Sequence, residues 1–132
     1  MQTFLPYSDF ERSAKTLDYK RLGKQRVEAY QILQALSDPN YGWQNHPAVK
    51  MWRGYEEALV AYYAAICREW ISRGYKHTMP VLIPQSDYII PEWLGDVQFH
   101  YSHRSRLYQK NSEFYAQWET IDLVDYVWPL RS

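Results

Sequence analysis

The chain has 132 residues, 46% of them hydrophobic, with 13 Tyr, 6 Trp and 4 Phe. This is ample material for one core that folds without staples, and residues 1–132 are expected to form a single domain. The lone cysteine, Cys67, excludes an intrachain disulfide and a four-cysteine zinc site, and the formal charge of zero excludes a uniformly basic or acidic surface.

The N-terminus, Met-Gln-Thr-Phe-Leu-Pro, lacks the basic segment and long apolar region of a signal peptide. Ser8-Asp9-Phe10-Glu11 reads as a capping box with Ser8 at the N-cap, predicting a short helix through about Lys15. A longer helix follows from Leu17 to Leu36, where Leu22, Ala29, Leu33 and Leu36 recur at helical spacing and Val27, Tyr30 and Ile32 widen the stripe. Gly23 inside it costs about 1 kcal/mol relative to Ala, so it marks either a close backbone approach or a break. Ser37-Asp38-Pro39-Asn40-Tyr41-Gly42 is a stop-and-turn signal.

Asn45-His46-Pro47 restarts a helix, with Asn45 as the N-cap and Pro47 in the first turn. The pattern runs to Arg73 and Gly74, with Gly54 a point where it can divide into two pieces. Leu59, Tyr63, Ile66 and Trp70 form its apolar stripe. Its longest nearly uncharged run, Ala58 to Cys67, is 10 residues, about half a membrane span. Residues 76–95, with three prolines, read as an irregular connection. Asp96 caps a third helix from about Val97 to Lys110, and Ser112 a further turn through Trp118. The tail from Asp122 to Pro129 alternates aromatics without an identifiable partner strand. The expectation is an all-α protein with three principal helices, soluble, cytoplasmic and monomeric.

The balanced charge conceals an asymmetry. Residues 1–110 carry 14 Lys and Arg against 11 Asp and Glu, a net of +3, whereas residues 111–132 carry one against four, a net of −3. Nucleic acid therefore stays open as a partner if the basic residues share a face. One candidate is Lys15, Lys20, Arg21, Lys24 and Arg26. Lys20 and Lys24 share a helix face with Arg21 beside it, which reads either as a solvated face or as a phosphate contact. Arg26 lies roughly 160° round from Lys24, close to the core stripe, and needs a specific partner such as Glu56, Glu57 or a ligand anion.

A second candidate is the run from Phe99 to Lys110. Arg106 and Lys110 fall on one face, with His103 a turn earlier, and Tyr101 and Tyr108 are interleaved with the basic residues, as a phosphate track with stacking platforms requires. His100 and His103 could ligate a metal, but no further Cys or His motif supplies the remaining ligands, and one imidazole bonded to a carboxylate is the plainer reading. The third candidate is the helix start at Asn45, where free backbone N–H groups make an anion site beside His46. Trp52 and Tyr55 read either as core or as the lining of a base-sized pocket. Nothing resembles a nucleophile elbow, a phosphate-cradling glycine loop or a dinucleotide fingerprint. Cys67, within the apolar stripe, reads as an inert core residue.

The order of these features resembles the pyrimidine-dimer DNA glycosylase family, the small all-helical endonuclease V-type repair enzymes. The likeness is carried by Leu17-Asp18-Tyr19-Lys20-Arg21-Leu22, Arg26-Val27, His46, Cys67, Arg73-Gly74-Tyr75, Ser102, Arg106-Leu107 and Lys110. A less characterised branch also shares the Met-Gln-Thr-Phe-Leu-Pro start, residues 21–28 and Asn45-His46-Pro47-Ala48. The resemblance implies a compact helical fold that grips kinked duplex DNA and extrudes a nucleotide. It implies that an amine at the N-terminus attacks C1′ and forms a Schiff base, assisted by a glutamate early in the first long helix, before elimination cuts the strand. An α-amine, with a pKa of about 8, suits that role because a useful fraction is neutral near physiological pH.

Carried over residue by residue, the family's helix arginines fall on Lys20, Arg26 and Arg106. Its glutamate falls on Arg21 or Gly23, and Glu28 is the nearest acid on that helix. Gln2 is too large for removal of the initiator methionine, so Met1 bears the amine. The expected site is Met1 as nucleophile, Glu28 and His46 for proton transfer, and Lys20, Arg21, Lys24, Arg26, Arg104, Arg106 and Lys110 against DNA, with neither metal nor cofactor. Two alternatives remain: a non-catalytic nucleic-acid-binding module, and a nucleotide-directed enzyme with His46, His100 or His103 as base.

Overall fold

The computed structural model describes residues 1–129, and these contain helices and no strand. The elements are α1 (Phe10–Thr16), α2 (Tyr19–Ser37), α3 (Pro47–Trp52), α4 (Glu56–Ser72), α5 (Val97–Lys110) and a single 3₁₀ turn at Ala116–Trp118. None of these helices is long and apolar enough to cross a membrane. The all-α expectation holds, and α5 has the bounds that its sequence predicts.

Two caps shift by one residue. Asp9 rather than Ser8 caps α1, its carboxylate accepting from Arg12 N at 2.8 Å. Glu11 does not close a capping box but pairs with Arg68 of α4 at 3.2 Å, in an exposed contact of small energetic weight. Likewise His46, not Asn45, caps α3, its Nδ1 accepting from Ala48 N at 3.0 Å. Asp96 does cap α5, accepting from Phe99 N. The predicted turn from Ser112 forms instead as the 3₁₀ turn at Ala116–Trp118, and Asn111 accepts from Phe114 N.

Gly54 divides the second predicted helix into α3 and α4. Its φ of +90° is a left-handed backbone that a side chain resists. α4 packs on both α1 and α2 and is buried over most of its circumference, from Ala58 and Leu59 to Cys67 and Trp70. A helix apolar on nearly every side belongs inside a core. Cys67 is buried there, and burial pushes its thiol pKa up, in keeping with an inert residue. Trp52 lies in the core beside Tyr62, Phe10 and Trp93, so that end of α3 is core and not a base pocket.

The buried stripe of α2 is Leu22, Gln25, Ala29, Ile32 and Ala35. Leu33 and Leu36 flank it half-buried, and Val27, expected to widen it, is 43% exposed. Gly23 marks close approach rather than a break: a Cβ there would stand 3.1 Å from Cζ3 of Trp70. The Trp70 ring is held on its other sides by Tyr75, stacked Tyr19 and the Arg26 guanidinium.

The N-terminal segment is buried as deeply as the helices. Thr3 and Leu5 are fully buried and Gln2 and Phe4 nearly so. Leu5 is clamped by two α5 histidines. Gly95 N donates to His100 Nε2 at 2.8 Å, so His100 Nδ1 bears the proton and donates to Leu5 O at 2.8 Å. Leu5 N donates to His103 Nδ1 at 2.9 Å. Burial lowers the pKa of both rings, that of His103 to about 3. Unfolded, His103 would titrate near 6.5, so between pH 6.5 and 3 the unfolded chain binds a proton that the folded one refuses. Stability is therefore retained above about 6.5 and falls with acid at about 1.4 kcal/mol per pH unit for His103. Urea unfolding at pH 7 and pH 5 should differ by about 2 kcal/mol from this residue. His103→Asn, which keeps an acceptor for Leu5 N, should flatten the dependence, and an unaltered slope would refute the assignment.

Candidate nucleic-acid interface

Gln25 organises the site, although it is a polar residue on the buried stripe of α2. Its Oε1 accepts from Phe4 N at 2.9 Å, and its Nε2 donates to Gln2 O at 2.9 Å and to Glu28 Oε2 at 3.1 Å. The Tyr62 hydroxyl lies 2.7 Å from both Phe4 O and Gln25 Oε1. Trp52 Nε1 donates to Thr3 Oγ1 at 3.0 Å. Through these bonds one amide aligns the first residues of the chain with the carboxylate one turn further along α2.

The result is a pair. The Met1 amine stands 4.0 Å from Glu28 Oε1, with the Met1 side chain 4% and the Glu28 side chain 26% exposed. The apolar side chain of Met1 is an anchor, and what it exposes is backbone. The binding-module alternative expects no acid within reach of this amine, and Glu28 is within reach.

His46 belongs to the same neighbourhood. Its pKa is lowered, first by burial and then by the positive charge of the N-terminal amine. With Nδ1 accepting from Ala48, the neutral ring carries its proton on Nε2, so His46 offers a donor in its capping state. Trp43 and Trp128 pack edge-on against it at 5.8 and 6.1 Å.

Four of the predicted cations share one neighbourhood, that of Lys110, which Glu28 also reaches. The Lys110 pKa is lowered by burial and then by the charges of Arg106, Arg21 and Lys24, with Glu28 opposing. Asp18, buried, orients Arg21 at 3.2 Å and accepts from the Tyr115 hydroxyl at 2.6 Å. Arg106 lies over the Tyr126 ring at 5.1 Å and 3.7 Å from Asp125. The tail reaches this position by lying along α5: Val124 N donates to Ser105 Oγ, Val127 N donates to Ser102 Oγ, and Gln109 Nε2 donates to Val124 O.

Other predicted residues lie elsewhere. Arg26 stacks on Trp70 at 4.1 Å and meets His77 at 3.2 Å, so its partner is neither Glu56 nor Glu57. Arg104 donates to Pro6 O at 2.7 Å and flanks Tyr7 and Tyr101, pinning the end of the N-terminal segment. Lys20 is exposed. His100 and His103 each spend Nδ1 on the Leu5 backbone, which weighs against either as the base of the nucleotide-directed alternative. Among the described residues no group of three or more His, Cys, Asp or Glu could hold a metal ion.

Sequence reasoning missed Gln25, Trp43, Tyr126 and Trp128 as neighbours of the candidate residues. Gln25 had a signal, since it falls three after Leu22 and four before Ala29 on the core face. The tail aromatics had only their alternation.

Comparison with known families matches residues 1–82 to the model for pyrimidine dimer DNA glycosylase. The match spans Met1, the α2 cations, Glu28, His46 and all of α4. No curated protein and no solved structure matches the chain. The buried N-terminus, the amine beside a carboxylate and the cations around them thus accompany a family match over more than half the sequence, and the chain belongs to the pyrimidine dimer DNA glycosylase family.

Proposed function

We propose that this protein excises a damaged or modified base from duplex DNA and then cuts the strand, with the Met1 α-amine as nucleophile and Glu28 as its proton-transfer partner. The observation that carries the reading is the 4.0 Å approach of amine and carboxylate. Both partners are held by Gln25, through Gln2 O on one side and Glu28 Oε2 on the other. A nucleophile already oriented against its base lowers the entropic part of the barrier.

In the proposed reaction the neutral amine adds its lone pair to C1′ as the C1′–base bond breaks. The base leaves with that electron pair and takes up a proton. The new ammonium passes a proton to Glu28 while the C1′–O4′ bond opens, and Glu28 returns that proton to O4′, leaving an imine. Glu28, again a carboxylate, then takes a C2′ proton as the 3′ phosphate leaves with the C3′–O electron pair, and water releases the protein from the imine. Arg21, Lys24, Arg106 and Lys110 hold the phosphates of the extruded nucleotide and its neighbours. His46, as a neutral donor, hydrogen-bonds a phosphate or the departing base.

The test is borohydride trapping on a duplex with one abasic site, followed by proteolysis and mass spectrometry of the adduct. An adduct on the peptide beginning at Met1 is expected, and it should vanish when the α-amine is acetylated. An adduct on a lysine, or none, would overturn the mechanism.

A further inference from the structure

Trp43 combines two unfavourable features beside the amine site. The residue is 58% exposed, and among the described residues it is the one non-glycine with a positive φ, +73°. A large apolar ring left in water on a left-handed backbone does nothing for the fold by itself, and such strain concentrates where a ligand is contacted. The surrounding turn accounts for the backbone bond, His46 N to Trp43 O at 3.0 Å, but not for the choice of tryptophan.

The ring is the open end of an aromatic row. Trp43 packs edge-on against His46 at 5.8 Å, His46 against Trp128 at 6.1 Å, and Trp128 lies 5.8 Å from Tyr126. Arg106 closes the row over Tyr126. The row thus runs from an exposed indole to a cation of the proposed phosphate-binding group, and His46 is close enough to the Met1 amine to feel its charge. An exposed indole at the open end of an aromatic row that leads to a cation suits an opened nucleic-acid strand, whose base stacks on the ring while its phosphate pairs.

We infer that Trp43 is a stacking platform for a nucleobase unpaired at the site, either the extruded base or the one it leaves behind. This rests on the DNA-directed reading above but not on the amine chemistry. Base–aromatic stacking is tolerant of sequence, so Trp43 supplies affinity for opened DNA rather than a choice of base.

The test compares wild type with Trp43→Ala, Trp43→Phe and Trp43→Gly, using fluorescence anisotropy on a duplex with one abasic site, borohydride trapping on the same duplex, and urea unfolding. Trp43→Ala and Trp43→Gly should bind about tenfold more weakly, and Trp43→Phe should recover most of the loss. The DNA concentration giving half-maximal trapping should rise in step. Glycine accepts the left-handed backbone, so Trp43→Gly should unfold at no lower a urea concentration than wild type, which separates a stacking role from a structural one. Wild-type affinity in Trp43→Ala, or an affinity loss matched by easier unfolding in Trp43→Gly, overturns the inference. Ring-dependent binding without any adduct would overturn the proposed amine mechanism and leave the stacking role standing. An adduct with ring-independent affinity would do the reverse, and no binding at all would overturn both.

Discussion

Glu28→Gln is expected to slow strand cleavage at an abasic site by about a hundredfold or more, while the affinity for the same duplex stays within about twofold. The expectation follows from a nearly isosteric change. Glutamine can still accept the hydrogen bond that Gln25 Nε2 donates to Glu28 Oε2 at 3.1 Å, so the turn of α2 and the N-terminal segment remain in register. What disappears is the charge 4.0 Å from the Met1 amine and, once the two groups close to hydrogen-bond distance, the capacity to take its proton. Single-turnover cleavage with saturating protein gives the rate, and urea unfolding should show a change below about 1 kcal/mol, the usual range for a substitution that leaves contacts intact. Unimpaired cleavage would remove Glu28 from the chemistry, and a large loss of stability would mean that the carboxylate is structural.

Gln25→Leu should act in the opposite way, through the fold first. Leucine fits the apolar stripe between Leu22 and Ala29, yet it leaves Phe4 N and Gln2 O buried without partners. Each such orphan costs about 1–3 kcal/mol, so a loss of about 3 kcal/mol is expected in urea unfolding. Cleavage should fall as well, by about tenfold at saturating DNA, because the amine is no longer held against Glu28. Gln25→Glu should not rescue either property, since a carboxylate cannot donate to Gln2 O and would face Glu28 with like charge. A Gln25→Leu protein within 1 kcal/mol of wild type would show that the other ties of the N-terminal segment, from His100, His103, Trp52 and Tyr62, suffice to align it.

The helices were legible because their signals are local. Apolar residues at helical spacing mark α2 and α4, and Asp96 followed by a basic amphipathic run marks α5 to its ends. The one-residue errors at Ser8 and Asn45 have a common cause. Each neighbour, Asp9 and His46, is also a competent acceptor, and the choice depends on which lone pair meets an N–H two or three residues on. Gly54 left the division of α3 from α4 open until its backbone was seen to be left-handed.

The cations divided for an angular reason. Arg26 is two residues beyond Lys24, and Arg106 two beyond Arg104, and two residues carry a side chain roughly 160° round a helix. Arg26, which its angle had set apart from Lys24, turned to Trp70, and Arg104, on the face away from Arg106, turned to the carbonyl of Pro6. The histidines show a different limit. His100 and His103 have the spacing of a ligand pair, but both ring nitrogens facing Leu5 are spent on its backbone. The plainer reading, an imidazole paired with a carboxylate, failed too, because the partner is main chain.

Residue pattern alone was sufficient for the helical class, the order of the elements and the family, since periodicity, caps and short motifs are properties of neighbouring residues. Which acid meets the Met1 amine was decided by tertiary structure. The path of the first five residues is held by Gln25, 21 to 23 positions away, by Tyr62 at 58, and by His100 and His103 at 95 and 98. An extended segment has no helical period to announce its position. Only buried backbone groups seeking partners across the core bring its end to Glu28.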